Sequence, residues 1–238
     1  TCHIPEFAKG GKATKVWWDW STAGKLRDGK PYVEHDEKGR HTYLSTKGDF
    51  RWEEDVVPEY RFWNGVVEYT LPGEKIDPTQ IVGINRIHGS VNDPDSRIYP
   101  FKHMLGRQAY DADYENLVFS QVYGPDTDTA FWTNFNWDKA LKAGMAKSDV
   151  AYSGHYGFVD TEMWWPTTHM VSPAAEALQC DSCHARDGRL AALDGFYLPG
   201  RDRFTTTDRI GLLLLALSLA GIALHASIRF LMKRRTRA

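Results

Sequence analysis

Residues 180–184 read Cys180-Asp181-Ser182-Cys183-His184, a C-x-x-C-H pattern. Two thiols at this spacing form thioethers to one haem, and the adjacent histidine coordinates its iron. The chain opens Thr1-Cys2-His3, which matches the last three residues of a second such motif. On that reading the sequence is the C-terminal piece of a longer c-type cytochrome, with some ligand partners upstream. All three cysteines fall in these two places, so none is left for a structural disulfide. A zinc half-site would need two further ligands at similar spacing. A dithiol redox pair would need a βαβ pattern around it. The histidine directly after Cys183 favours haem over both.

A haem attached in this way has to be carried by a head and held in a compartment. Residues 210–231 form an apolar run of the length a bilayer requires, about 20 residues. Arg209 precedes it, and Arg229, Lys233, Arg234, Arg235 and Arg237 crowd its far end. This asymmetry places the tail 232–238 in the cytoplasm and everything before residue 209 on the opposite side. Covalent haem attachment belongs to that side too. The expected location is the bacterial inner membrane, with a single-pass C-terminal anchor and the haem domain in the periplasm. A C-terminal position is wrong for a signal peptide, and the leucine content with a basic flank is unlike a buried core helix. His225 lies inside the run, where an ionisable group is a functional candidate. Completing a bis-histidine b-haem there would need a partner subunit, so a place near the interface or against a partner helix is the simpler reading.

The net charge is −2, and the five basic residues from Arg229 onward contribute +5, which leaves the part before them near −7. An acidic head excludes nucleic acid as a partner. It suits a basic redox partner protein or a cationic surface.

About 200 residues precede the span, enough for one domain or part of a larger one. Residues 21–60, rich in Gly, Lys, Asp and Glu, predict loops and turns. Residues 62–71, 80–87 and 116–123 have strand-like content. Phe131, Phe135, Ala140, Leu141 and Met145 recur with helical spacing over 129–147. Pro173 ahead of Ala174-Ala175-Glu176-Ala177-Leu178 predicts a helix with Pro in its first turn, leading into the haem motif. The expected fold is a multihaem cytochrome c, mainly α-helical and irregular with a few short strands, plus one C-terminal transmembrane helix. The expected divisions are a cytochrome domain over 1–204, a polar linker over 205–209, the span over 210–231 and the basic tail. Nine Trp and eleven Tyr suit packing on porphyrin faces. For any single ring, an ordinary aromatic core or a membrane-interface belt is the simpler account.

Several stretches resemble the octahaem tetrathionate reductase family of c-type cytochromes. They are residues 43–52, Pro58-Glu59-Tyr60, Trp63-Asn64-Gly65, Lys75-Ile76-Asp77-Pro78, Pro100-Phe101-Lys102, Gly106-Arg107-Gln108 and Tyr110-Asp111. Residues 161–171 follow, running through Ala177-Leu178 into the haem motif, then Gly188-Arg189-Leu190 and residues 195–201. The likeness covers roughly residues 1–203 and is most specific from His169 to Cys183. It implies about eight c-haems in the full protein, most with two histidine ligands, and one active-site haem with a lysine ligand. It also implies reduction of small sulfur or nitrogen oxyanions such as tetrathionate, nitrite or hydroxylamine. No lysine here matches the ligand position, so the active-site haem is expected outside this chain and no catalytic residue is assigned.

Each c-haem takes a proximal histidine from its motif and a distal ligand from elsewhere. His184 is proximal, and His3 is proximal if Cys2 belongs to a second motif. His169 is the foremost distal candidate, followed by His88, His155 and His103. His35 and His41 lie in a charged loop and read as solvated. Met104 and Met170 could supply axial thioethers, which would raise a haem's potential. The leading function is a membrane-anchored multihaem cytochrome transferring electrons in periplasmic anaerobic respiration, as part of an oxyanion reductase. The alternative is a non-catalytic conduit between the quinone pool, through a quinol-oxidising membrane subunit, and a separate reductase.

Overall fold

The computed structural model describes residues 1–124 and 126–235, with side chains through Met232. The tail residues Lys233, Arg234, Arg235 and Arg237, used above for orientation, lie outside the described side chains. The chain divides into two compact units, Thr1–Gln179 and Cys180–Ala238. Strands account for 30% of the residues and helices for 22%, which corrects the expectation of a mainly α-helical and irregular protein.

The first unit is organised on one long strand, Arg97–Asp111. Along one edge it pairs antiparallel with Tyr156–Pro166, from Phe101 opposite Pro166 to Asp111 opposite Tyr156. Three shorter strands share its other edge in turn. Glu59–Trp63 lies opposite residues 97–101, Thr14–Asp19 runs parallel opposite 105–107, and Asn116–Leu117 lies opposite 110–111. The sheet continues through Gly48–Glu53, His41–Leu44 and Val33–His35 on one side and Val82–Gly83 on the other, making nine strands.

The central strand is hard to read in sequence. Most of its residues are half-buried on both faces, so apolar and polar positions do not alternate. Pro100 also looks like a break, because proline cannot donate to a ladder. Its carbonyl accepts the Thr167 N–H at 3.0 Å. The donor it lacks therefore lies at the open end of the ladder with Tyr156–Pro166, where the loss is small. Residues 21–60, expected as loops, hold five strands whose side chains are largely solvent-facing.

The helical expectations are corrected in detail. The run over 129–147 is two helices, Phe131–Asn134 and Trp137–Met145, separated by Phe135 at φ 53°. Asn136 caps the second, its Oδ1 accepting the Lys139 N–H at 3.0 Å. Phe131, Ala140 and Leu141 are fully buried under Trp20, Trp132 and Trp137 or nearby. Gly144 lets this helix lie against residues 119–121, where a Cβ would meet the Gln121 nitrogen at 2.8 Å. The helix expected after Pro173 is only a 3-10 turn, Ala174–Glu176, with all three residues exposed. With no apolar face to bury, so short a segment cannot propagate.

In the second unit the final helix runs Thr205–Arg235. The residues expected as linker form its first turn. It is the one described helix long and apolar enough to cross a membrane, and its apolar window is wholly unburied.

Two buried polar side chains tie the sheet together. Asn85 clips onto Trp164, donating to its carbonyl and accepting from its N–H, both at 2.8 Å. Asp111 is fully buried. Burial alone would raise its pKa, yet the value is lowered. The N–H groups of Asp113, Tyr114 and Ser153 and the Ser153 hydroxyl donate to it at 2.6–2.9 Å and outweigh the desolvation.

Folded Asp111 therefore holds its proton less readily than the unfolded residue. Its stabilisation is complete above the ordinary aspartate pKa of about 3.9 and fades as pH falls through the lower folded value. Asp111→Asn should cost about 1.5–3 kcal/mol at pH 7, the worth of hydrogen bonds to a charged group. It should also flatten the fall in urea midpoint below about pH 4. Identical midpoints for both proteins at pH 7 would show that the network carries no stability.

Candidate functional site

The haem motif occupies a single helical turn, Cys180–Cys183. Cys180 is exposed and Cys183 buried, and no cysteine is in a disulfide. The His184 N–H donates to the Cys180 carbonyl at 2.8 Å, so the histidine completes the same turn. Its ring is held by a partner fifteen residues on, with Nδ1 3.2 Å from the Pro199 carbonyl oxygen. A carbonyl only accepts, so the proton sits on Nδ1 and the Nε2 lone pair is left for a metal.

That partner loop is itself fixed. Gly200 adopts φ +88°, and a Cβ there would collide with the His184 carbonyl group and crowd the Ala185 nitrogen at 3.2 Å. Only glycine lets the Pro199 turn approach the ligand so closely. Arg201 then gathers the loop. Its guanidinium donates to the carbonyls of Ala191, Leu193 and Phe196 and forks onto Asp202 with two contacts of 2.8 Å. The Arg201 guanidinium holds the Asp202 carboxyl at a pKa of about 2. Two thiols outside any disulfide on one turn, a histidine of fixed tautomer and a glycine-tight supporting loop together fit a covalently attached haem.

In the first unit the same imidazole arrangement recurs. His3 has Nδ1 3.2 Å from the Ser172 carbonyl oxygen. The dipeptide is zipped to its neighbours: Ser172 N–H donates to the His3 carbonyl at 2.7 Å and Leu178 N–H to the Cys2 carbonyl at 3.0 Å. His155 has Nδ1 2.8 Å from an Asp113 carboxylate oxygen, which raises its pKa. Both rings are exposed. His169 lines a cavity of about 490 Å³ with Met170, Trp165, Phe7, Lys12 and Lys102.

The other candidates are differently engaged. His88 has Nε2 2.7 Å from Glu68 on the surface. His103 is committed on both nitrogens, to Glu59 at 3.0 Å and Glu162 at 2.8 Å, and stacks on Trp164 at 3.8 Å. Burial would lower its pKa, but the two carboxylates raise it. With both ring nitrogens engaged by carboxylates, His103 has no nitrogen left over in this arrangement and bridges the sheet. His35 and His41 pack on each other at 4.8 Å. Among the described residues no group of three His, Cys, Asp or Glu side chains could enclose a metal ion.

The partners Pro199, Ser172 and Asp113 went unnoticed in sequence. Two act through backbone carbonyls, which carry no residue signature, and Ser172 lies 169 positions from His3. The available signal was the block 195–201, whose Pro-Gly-Arg turn had no assigned role.

The family model described as bacterial cytochrome c matches residues 15–187, a span that includes Cys180, Cys183 and His184. Among solved structures, the octahaem cytochrome c of Shewanella oneidensis is similar over 79% of this chain, with a TM-score of 0.73 and 39% sequence identity. This chain spans 43% of that chain. No curated protein matches. With the C-x-x-C-H turn inside the matched span, the chain belongs to the octahaem c-type cytochrome family, and its cofactor is haem c.

Proposed function

We propose that this chain works in a membrane-anchored multihaem cytochrome that passes electrons in periplasmic respiration, within a reductase of small sulfur or nitrogen oxyanions. The carrying observation is the Cys180–Cys183 turn with its histidine tautomer set by Pro199. Bound haem c supplies a one-electron Fe(III)/Fe(II) couple. Cys180 and Cys183 would hold it through thioethers, and His184 would bind its iron through Nε2. The Pro199 carbonyl orients the imidazole, as such outer partners do. Gly200 and the Arg201–Asp202 fork hold that carbonyl in place.

Cys2 and His3 play the same parts for a second haem, with the Ser172 carbonyl in the role of Pro199. Distal ligands come from His169, His155 and His88. The octahaem relative supports a count above one, and the oxyanion substrate rests on the resemblance of the blocks around residues 161–171 and 195–201. A conduit serving a separate reductase is the second reading. The helix Thr205–Arg235 favours it, since an anchor would keep the head beside quinol-oxidising membrane subunits.

The anchor reading takes the apolar stretch Thr205–Met232 as a single span. The basic residues beyond it set the orientation, with the head in the periplasm.

Replacing both thiols, Cys180→Ala with Cys183→Ala, should lower the intact mass of the haem-loaded protein by one covalent haem beyond the sulfur atoms. An unchanged haem count rules the motif out as an attachment site. For topology, protease added to intact spheroplasts should digest residues before 205 and spare an epitope placed after Ala238. Loss of the epitope reverses the orientation. For axial ligation, two imidazoles keep iron low-spin, so His169→Ala in the whole protein should convert one haem to a high-spin paramagnetic resonance signal. His35→Ala should alter none. A low-spin spectrum in His169→Ala passes the distal role to His155 or His88.

A further inference from the structure

We propose that the 490 Å³ cavity of the first unit is a haem-packing site in which Lys102, assisted by Lys12, binds a haem propionate. The proposal rests on the reading of this chain as multihaem.

The size of the cavity speaks for a cofactor. It falls in the range of sites that enclose cofactor-sized molecules and far exceeds what an oxyanion of a few atoms fills. Its walls are largely apolar, formed by Phe7, Trp165, Pro166 and Met170. Trp165 keeps 47% of its surface exposed, and Val171 just beyond keeps 67%. Large rings and branched chains left open at a concave face are surfaces awaiting a cover.

The charge of the cavity is the second observation. Lys12 and Lys102 both line it, and among the described residues neither makes an ion pair with a carboxylate. Lys102 is half-buried, and its one hydrogen bond goes to a neutral acceptor, Thr14 Oγ1, at 2.7 Å. Burial lowers its pKa. The nearby Lys15 is lowered too, by burial first and then by the fields of Lys47 and Lys102. In a head whose net charge is acidic, this corner holds cations without acids. Thr167, another wall residue, is 4% exposed, and its hydroxyl has no hydrogen-bond partner. Half-buried cations and an orphaned donor are costly unless an anionic oxygen arrives.

A porphyrin meets both demands together. Its faces are apolar and its two carboxylates project from one edge. A ring against Trp165, Phe7 and Met170 would bring that edge toward the lysines, with His169 in the same wall. A free oxyanion would satisfy the lysines and leave the apolar faces bare.

The test uses the whole haem-loaded protein and reads potentials rather than turnover. Lys102→Met removes the charge and keeps the length. A positive charge beside a propionate favours the reduced iron, so one haem's midpoint potential should fall in this variant and stay near the wild-type value in Lys102→Arg. Lys75→Met, at a 79% exposed site joined to the opposite end of the sheet, should move none. If no potential moves in Lys102→Met, the proposal is wrong. If that happens while His169→Ala still produces one high-spin haem, the ligand reading survives alone. If one potential falls but His169→Ala stays low-spin, the propionate site stands and another histidine is the ligand. If potentials are unmoved, but added nitrite or tetrathionate perturbs the wild-type spectrum and not that of Lys102→Met, the occupant is a free oxyanion and the proposal is overturned.

Discussion

The antiparallel ladder between Arg97–Asp111 and Tyr156–Pro166 decides where the functional side chains of the first unit can be. It is closed at one end by Asp111, whose carboxylate gathers Ser153 and the turn at residues 113–114. There the Ala112 N–H donates to the His155 carbonyl at 3.0 Å and Asp113 takes up the His155 ring. At the other end the Pro100 carbonyl holds Thr167, and the chain leaves the sheet at once toward His169 and Ser172. Eleven residues of strand rise by about 35 Å. His155 and His169 are therefore held at opposite ends of a stiff rod and cannot serve the same haem. If both are ligands, the sheet is a spacer between two redox centres.

The same ladder explains the role of His103. Its neighbours across both edges supply Glu59 and Glu162, and Trp164 supplies a face. Arg61 lies over that same indole at 4.3 Å. A histidine bonded on both ring nitrogens cross-links three strands. It resembles a ligand in sequence because histidine serves both purposes with the same atoms. What separates them is the number of nitrogens left over: none in His103, one in His3, His155 and His184.

Much of the site was legible and much of the fold was not, for a common reason. C-x-x-C-H is a local pattern, because thioether geometry needs both thiols and the histidine on one turn. A nine-stranded sheet is a non-local object, and its central strand is half-buried on both faces, so period-two alternation vanishes. The short strands within residues 21–60 failed differently. Charges in and between them pair with one another, as Arg27 does with Glu34 and Arg40 with Asp36 and Glu54, and such charges look like loop in one dimension. The helix at 137–145 was legible because Ala140, Leu141 and Met145 all face one side. Its boundary was not, since nothing in the composition announces that Phe135 turns left-handed. The sheet is also why the expectation of a helical head fails: the motif needs only four helical residues, and the rest of the scaffold is free to be β.

Covalent attachment also bears on how much of this protein has to be buried. A haem held only by packing needs an enclosing core. A haem held by two thioethers and a histidine needs a platform, a fixed imidazole and an apolar surface to lie on. Cys180 and His184 are exposed, as are His3 and His155, yet each ring nitrogen facing the protein is tied to an oxygen. Within the first unit large apolar groups also stand open: Val66, Leu71, Ile81, Trp165 and Val171 each keep half or more of their surface, or nearly so. Such exposure would invite aggregation in a protein without cofactors. In a cytochrome with attached haem such surface is what a porphyrin face could cover, and the cost of leaving it bare would add to the hold of the thioethers.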